Sequence, residues 1–196
     1  MVPLSELVVI ENGLQVRPLD ESKKPKIKDV KNQVSFLNIQ AANIDSLGVV
    51  DFTEAKEMAA GVKDTDRLSL RPGDLVTVNR GEGMRTGLVT KDPPMLAIPA
   101  YSLHRITVHS LDRVDVHYLW WYLNRPIVRK RMAALNSGQT IPVLTRKAFA
   151  EFKIELPPIE KQRKIGECAL LLMEERRLID RLSELRQQAL EHLLTQ

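Results

Sequence analysis

Asp92-Pro93-Pro94-Met95 has the spacing of the D/N-P-P-aromatic tetrapeptide of base-methylating enzymes. That chemistry needs an aromatic ring in the fourth place to stack the extruded base. Met95 offers none, and no Gly-rich strand-to-helix turn for a methyl donor accompanies it, so the tetrapeptide reads as a proline turn. Gly81-Glu82-Gly83 with Gly87 misses the spacing of a dinucleotide-binding loop, because the third glycine falls one place late. A strand rather than a helix follows, so no helix N-terminus faces a phosphate and a hairpin bend is expected. His104, His109, His117 and His192 show no metal-ligand spacing with Cys168, the single cysteine, and no metal or intrachain disulfide is expected. No Ser/His/Asp or Cys/His arrangement has the context of a catalytic nucleophile.

Two features point to phosphate-bearing partners instead. Between Val116 and Ala150 there is no acidic residue, while Arg125, Arg129, Lys130, Arg131, Arg146 and Lys147 all fall there. A region of one sign is the electrostatic footprint of a polyanion, although a solvated helix face has the same composition. Ser137-Gly138-Gln139-Thr140 is a small polar loop inside that region. Backbone N–H and hydroxyl groups bind phosphate oxygens, and glutamine pairs with an adenine edge. A glycine-terminated helix end accounts for the loop equally well, and both readings can hold together.

These groups must be positioned by a domain with its own core, and the composition supplies one: 43% of the 196 residues are hydrophobic and 28% charged, with a net charge of +4. The acidic start and the lack of any membrane-length apolar run suggest a cytoplasmic chain without a signal peptide. Strands are predicted over Val34–Ile39, Val49–Thr53, Leu75–Val78, Arg85–Thr90, Ala97–Val108 and Phe152–Leu156. Pro3–Ile10 reads as a short helix turn or strand, Arg17–Val30 as a loop, and Ala55–Lys63 as a helical turn weakened by Gly61. Asp115–Asn124 and Ile127–Leu135 are predicted helices, the second burying Ile127, Val128, Met132 and Leu135. Thr145 caps a short turn through Phe149. The class is α+β (mixed α/β): a globular domain with a small twisted mixed sheet over residues 1–155, then one long coiled-coil helix over 156–196.

That helix has its own logic. Pro157 and Pro158 end the preceding strand, and strong helix formers follow with no Pro or Gly after Gly166. Ile165, Cys168, Leu172, Ile179, Leu182, Ala189 and Leu193 form one heptad-like stripe, interrupted at Glu175 and Arg186. Leu171, Leu178, Leu182, Leu185 and Ala189 form a second. Two adjoining stripes call for neighbours on more than one side. Cys168 is expected to pack.

Several segments, in order, resemble the specificity (S) subunit of type I restriction–modification systems. Val34–Ile44 resembles its first conserved strand and loop, and Leu70-Arg71-Pro72-Gly73-Asp74-Leu75-Val76 its GD-hydrophobic strand. Gly81–Gly87 resembles the bend that follows, and Asn136–Ile141 the loop after the helices. Leu156-Pro157-Pro158-Ile159-Glu160-Lys161-Gln162-Arg163-Lys164-Ile165 resembles the signature L-P-P-x-x-E-Q-x-x-I, with Lys161 in the acid's place.

The resemblance implies a half-length S subunit: one target recognition domain, one conserved spacer helix, and no catalytic step. It implies a homodimer through Ile165, Leu172, Ile179, Leu182, Ala189 and Leu193, reading a bipartite, interrupted target on double-stranded DNA. It further implies docking of methyltransferase (M) subunits and, through them, restriction (R) subunits. No cofactor is expected on this chain, with S-adenosylmethionine on the M subunit. Base-edge contacts are assigned to Asn79, Arg80, Arg85, Gln139 and Thr140, and phosphate contacts to Arg125, Arg129, Lys130, Ser137, Arg146 and Lys147. The alternative is a helix-mediated interaction protein that binds or regulates M subunits without reading DNA; salt-sensitive DNA binding separates the two.

Overall fold

A computed structural model of the chain describes residues 1–15, 34–60, 65–81, 83–135 and 142–194. The expected loop at Arg17–Val30 and the polar loop with Ser137, Gln139 and Thr140 lie outside these residues. The strands are β1 (Val2–Pro3), β2 (Val8–Asn12), β3 (Val34–Ile39), β4 (Lys56–Ala60), β5 (Leu75–Val78), β6 (Thr86–Leu88), β7 (Ala97–Pro99), β8 (Leu103–Val108) and β9 (Lys153–Ile154). The helices are α1 (Thr65–Leu68), α2 (Val116–Asn124), α3 (Pro126–Ala134), α4 (Arg146–Ala150) and α5 (Ile159–Leu194). The architecture is α+β, as expected.

β5 is the hinge of the layering. Its Leu-Val-Thr-Val run is buried on both faces, as a short continuous apolar strand must be. It sits between β8 and β6 in an antiparallel sheet of order β2-β8-β5-β6. Leu75 packs with Leu88, Ile106, Leu119 and Leu123 on the helix side. Val76 and Val78 pack with Ile39, Phe52 and Leu103 on the other side. There a second sheet, β4-β3-β7, closes the core, with β3 and β7 parallel. β1 pairs with β9, setting Val2 opposite Ile154 and tying the start of the domain to its end.

Asp74, just before β5, holds the layers in register. It is buried, and its Oδ2 accepts from Arg105 Nη2 at 2.9 Å, Arg105 Nε at 3.1 Å and the Arg71 backbone N–H at 2.8 Å. Its Oδ1 accepts from Thr107 Oγ at 2.7 Å. Arg105 also donates to the Arg67 carbonyl and faces Glu11 at 3.4 Å. Both carboxylate oxygens and the buried guanidinium are therefore satisfied, the condition under which a buried ion pair is tolerated.

Several expectations are corrected. The segment read as a helical turn, Ala55–Lys63, contributes strand β4, which pairs antiparallel with β3 and sets Phe36 opposite Met58; the exposed edge of β3 overrides local helix propensity. The strand expected over Ala97–Val108 is two strands in two sheets, separated by the turn at Ala100–Ser102. Val49–Thr53 forms only isolated bridges, Val49 with Leu88 and Val50 with Ile44. In α3, Val128 and Met132 are buried but Ile127 and Leu135 are exposed, because only the i, i+4 line meets the core.

α5 is seated by small and polar residues that belong to neither leucine stripe. Gln162, Gly166 and Ala169 are its buried residues. Gln162 Oε1 accepts from the Asp115 N–H at 3.1 Å, and its Nε2 donates to the carbonyls of Pro157 at 2.7 Å and Arg113 at 2.9 Å. Gln162 thus crosslinks the helix start to the α2 cap, which gives the glutamine of the signature a structural cause. Pro158 precedes the first helical turn rather than joining it. Ile165 packs on the domain core. Cys168, expected to pack, is exposed at a groove shared with Trp121, Ile165 and Leu172.

Candidate nucleic-acid interface

The chain continues past β5 into Asn79–Gly81, and this extension is gripped on both sides. Asn79 N–H donates to the Ser102 carbonyl at 2.9 Å, and the Asn79 side-chain amide to the Tyr101 carbonyl at 2.9 Å. On the other side the Leu144 N–H donates to the Asn79 carbonyl at 2.8 Å and the Gly81 N–H to the Pro142 carbonyl at 3.0 Å, with Arg80 bridged to Val143. Gly81 has φ +86°, a value L side chains avoid, which allows the bend. The structure thereby brings the Arg80 bend beside Pro142–Thr145, the segment leading out of the polar loop and into α4. Thr145 caps α4, accepting from the Ala148 N–H at 3.2 Å.

The expected contact residues separate into groups. Arg80 is exposed, its guanidinium 5.9 Å from the Tyr101 ring centroid. Arg146 and Lys147 are exposed on α4, and Lys130 on α3. Asn79, by contrast, is buried and its amide is committed to Tyr101. Arg85 donates to the Ala41 carbonyl at 3.2 Å and Arg129 to the Gly83 carbonyl at 2.7 Å, so both brace loops. Arg125 lies over Trp121 and Tyr122, 5.3 and 5.7 Å from their centroids. It lines a separate groove with Leu172, Met173 and Arg176 of α5. Ser137, Gln139 and Thr140 lie outside the described residues. Tyr101 escaped the sequence reading, because it lies outside the one-sign charge run, and Thr145 was read only as a cap; pairing across the chain is what brings both to Arg80.

His104 underlies this surface. It is buried on β8, stacks on Phe149 with centroids 5.9 Å apart, and donates from Nε2 to the Leu144 carbonyl at 2.7 Å. Its Nδ1 has no partner among the described residues. Burial holds its pKa below the usual histidine value, with the positive Arg146 adding to the effect and the Leu144 bond opposing it. Because the folded-state value is depressed, the stability from a neutral ring is complete above about pH 6.5 and is lost as pH falls below it. Between pH 7 and 5 the melting temperature is expected to fall, and His104→Gln to show a shallower fall. Parallel pH profiles for both proteins would remove His104 from the account.

Among the described residues no cluster of His, Cys, Asp or Glu could hold a metal ion, and no helix is long and apolar enough to cross a membrane. No curated protein sequence matches the chain. Its fold is similar to the HsdS subunit from Thermoanaerobacter tengcongensis at 23% identity and TM-score 0.63, over 98% of this chain and 46% of that one. It is similar to the type I restriction–modification system S subunit from M. genitalium at 14% identity and TM-score 0.62, over 95% and 42%. A chain from a structure on complex assembly and conformational transition of the type I R-M system matches at 18% identity and TM-score 0.62, over 98% and 42%. The chain thus spans less than half the length of each of these proteins. The family model for the type I restriction modification DNA specificity domain matches residues 20–168, which take in strands β3 to β9, the Arg80 bend and the root of the long helix, and the chain belongs to that family.

Proposed function

We propose that this chain is a DNA-reading specificity subunit, or half of one, in a type I restriction–modification system. It recognises sequence and makes or breaks no bond. Two copies pair through α5 and present two identical domains to an interrupted, inverted DNA target, since the symmetry of a reader is mirrored in its site. Methyltransferase subunits dock on the assembly, bring restriction subunits with them and bind S-adenosylmethionine.

The observation that carries the pairing is the outer part of α5. Beyond Ala169 no residue of the helix is buried, and Leu178, Ile179, Leu182, Leu185 and Leu193 are 46–69% exposed. A contiguous apolar stripe of this kind marks an interaction surface. Of the expected dimer positions, Leu172, Ile179, Leu182, Ala189 and Leu193 stay available, and Ile165 is taken by the domain. Light scattering at micromolar concentration is expected to give a dimer, and Leu182→Glu a monomer with an unchanged domain. A monomeric wild type, with and without the methyltransferase subunit, defeats the homodimer.

Lys147 and Lys130 supply phosphate contacts, which set register without reading sequence. Lys147→Ala is expected to weaken binding to all duplexes alike and to lower the salt slope by about 1. Gln139→Ala is expected to relax specificity at one position by about 1–3 kcal/mol. Sequence preference is read by mapping methylated sites genome-wide after co-expression with the methyltransferase subunit. Equal losses on cognate and random DNA for both variants would remove the division between positioning and reading.

A further inference from the structure

Between the Asn79–Gly81 extension and the start of α4 lies a recess of about 150 Å³. Arg80 and Arg146 line it together with Tyr101, Thr145, Asn79 and His104, and its described lining includes no acidic residue. Neither arginine pairs with an acid among the described residues. The other polar groups are largely committed. The Asn79 amide serves the Tyr101 carbonyl, and the buried His104 serves the Leu144 carbonyl. Thr145 Oγ accepts from the Ala148 N–H, which leaves its hydroxyl proton to donate. The recess therefore offers two permanent positive charges and a hydroxyl donor, with no counter-charge among the described residues.

Both arginines line this small space, so an ion inside it borders two permanently charged side chains. Two like charges around one cavity repel unless an anion lies between them. A base edge would engage one arginine and leave the second charge facing it without compensation. A tetrahedral oxyanion satisfies both, since each guanidinium fork donates paired N–H groups to two oxygens. The Tyr101 ring beside Arg80 adds a cation–π contact that steadies one of the two forks.

We propose that this recess is an oxyanion site in which Arg80 and Arg146 together hold one phosphate, a diester of the DNA backbone. The diester rests on the DNA reading above, and it moves Arg80 from base edge to phosphate. The full chain, co-purified with the methyltransferase subunit, is titrated with mixed-sequence duplex DNA over a range of salt as wild type, R80Q, R146Q and the double variant. Each neutralised phosphate contributes about 0.9 to the slope of log affinity against log salt. Each single variant is expected to keep nearly the wild-type slope, because the remaining arginine still neutralises the phosphate, and the double variant to lose about 0.9. Losses of about 0.9 in each single variant that add in the double mean two separate phosphates and end the shared site. An unchanged slope in the double variant ends the diester.

Inorganic phosphate separates the ion from the DNA. It is expected to raise the melting temperature of the wild-type chain and not that of the double variant. Equal shifts in the two proteins would abolish the oxyanion site itself. Should the wild type bind no duplex while phosphate still protects it alone, the recess remains an anion site and the DNA reading is what fails.

Discussion

Asp74→Ala is expected to destabilise the domain by about 3–5 kcal/mol, the cost of removing one partner from a buried ion pair. That is a large share of the roughly 5–15 kcal/mol typical of a folded domain. The carboxylate is 4% exposed and accepts four hydrogen bonds, two of them from Arg105. Its loss leaves the Arg105 guanidinium, itself 8% exposed, with Glu11 at 3.4 Å as its remaining acid and the Arg67 carbonyl as its other acceptor. It also strips Thr107 and the Arg71 N–H of their acceptor, and so frees the turn that starts β5 and aims the Arg80 bend. Asp74→Asn keeps one carbonyl oxygen and is expected to cost less. The double change Asp74→Ala with Arg105→Met removes both charges and is expected to recover much of the loss, since an unpaired buried charge is the dominant penalty. Urea unfolding, read as a shift of midpoint at constant slope, checks the series. A double variant no more stable than Asp74→Ala alone would mean that the pair is not the source of the penalty.

The second large effect is at Gly166. In an exposed helix interior, glycine to alanine gains about 0.8–1 kcal/mol. Here a Cβ at residue 166 would meet Asp115 Oδ1 at 2.6 Å, His117 Cβ at 2.9 Å and the Tyr118 backbone nitrogen at 2.9 Å. Asp115 Oδ1 is the acceptor that caps α2 through the Tyr118 N–H, and backbone has nowhere to move. Overpacking of about 1–3 kcal/mol and the loss of a cap worth about 1 kcal/mol outweigh the helical gain. Gly166→Ala is therefore expected to lower stability by about 1–3 kcal/mol with helix content unchanged by circular dichroism. Under the proposed pairing through α5, it is also expected to tilt α5 on the domain and to impair methylation in the assembled complex. Ser183→Ala, on the exposed part of the same helix, serves as the reference and is expected to be nearly neutral or stabilising. A Gly166→Ala protein more stable than wild type would show that α5 does not rest on the α2 cap.

The buried Tyr118 shows how tight that seat is. Its hydroxyl donates to the Glu155 carbonyl at 2.8 Å, and burial first, with Tyr122 and Glu155 adding, pushes its pKa up to about 12. The backbone amide of the same residue completes the α2 cap. One residue thereby joins the chain entering α5 to the helix that α5 rests on, and changes at Gly166 reach both.

Local patterns determined much of this protein. The apolar run of β5, the turn before it, the Thr145 cap and the long proline-initiated helix were all legible, because each rests on periodicity or on residue types suited to a single backbone geometry. The leucines on the outer part of α5 were legible for the same reason, and they remain exposed on the chain.

The tertiary structure decided what those patterns leave open. Helix-forming residues at Lys56–Ala60 became a strand because β3 had an unpaired edge to fill. Asn79, Arg85 and Arg129 donate to the backbone carbonyls of Tyr101, Ala41 and Gly83, contacts between distant segments that no local pattern encodes. The line that seats α5, Gln162-Gly166-Ala169, is silent to a hydrophobicity pattern, because close approach of backbones selects for small side chains rather than apolar ones. Arg80 and Arg146 are 66 positions apart in the chain, and only the pairing of the extension after β5 with residues 142–144 brings them to one recess. A one-sign stretch is a footprint that a polyanion and a solvated helix face share; which residues line one recess is decided by hydrogen bonds between segments far apart in sequence.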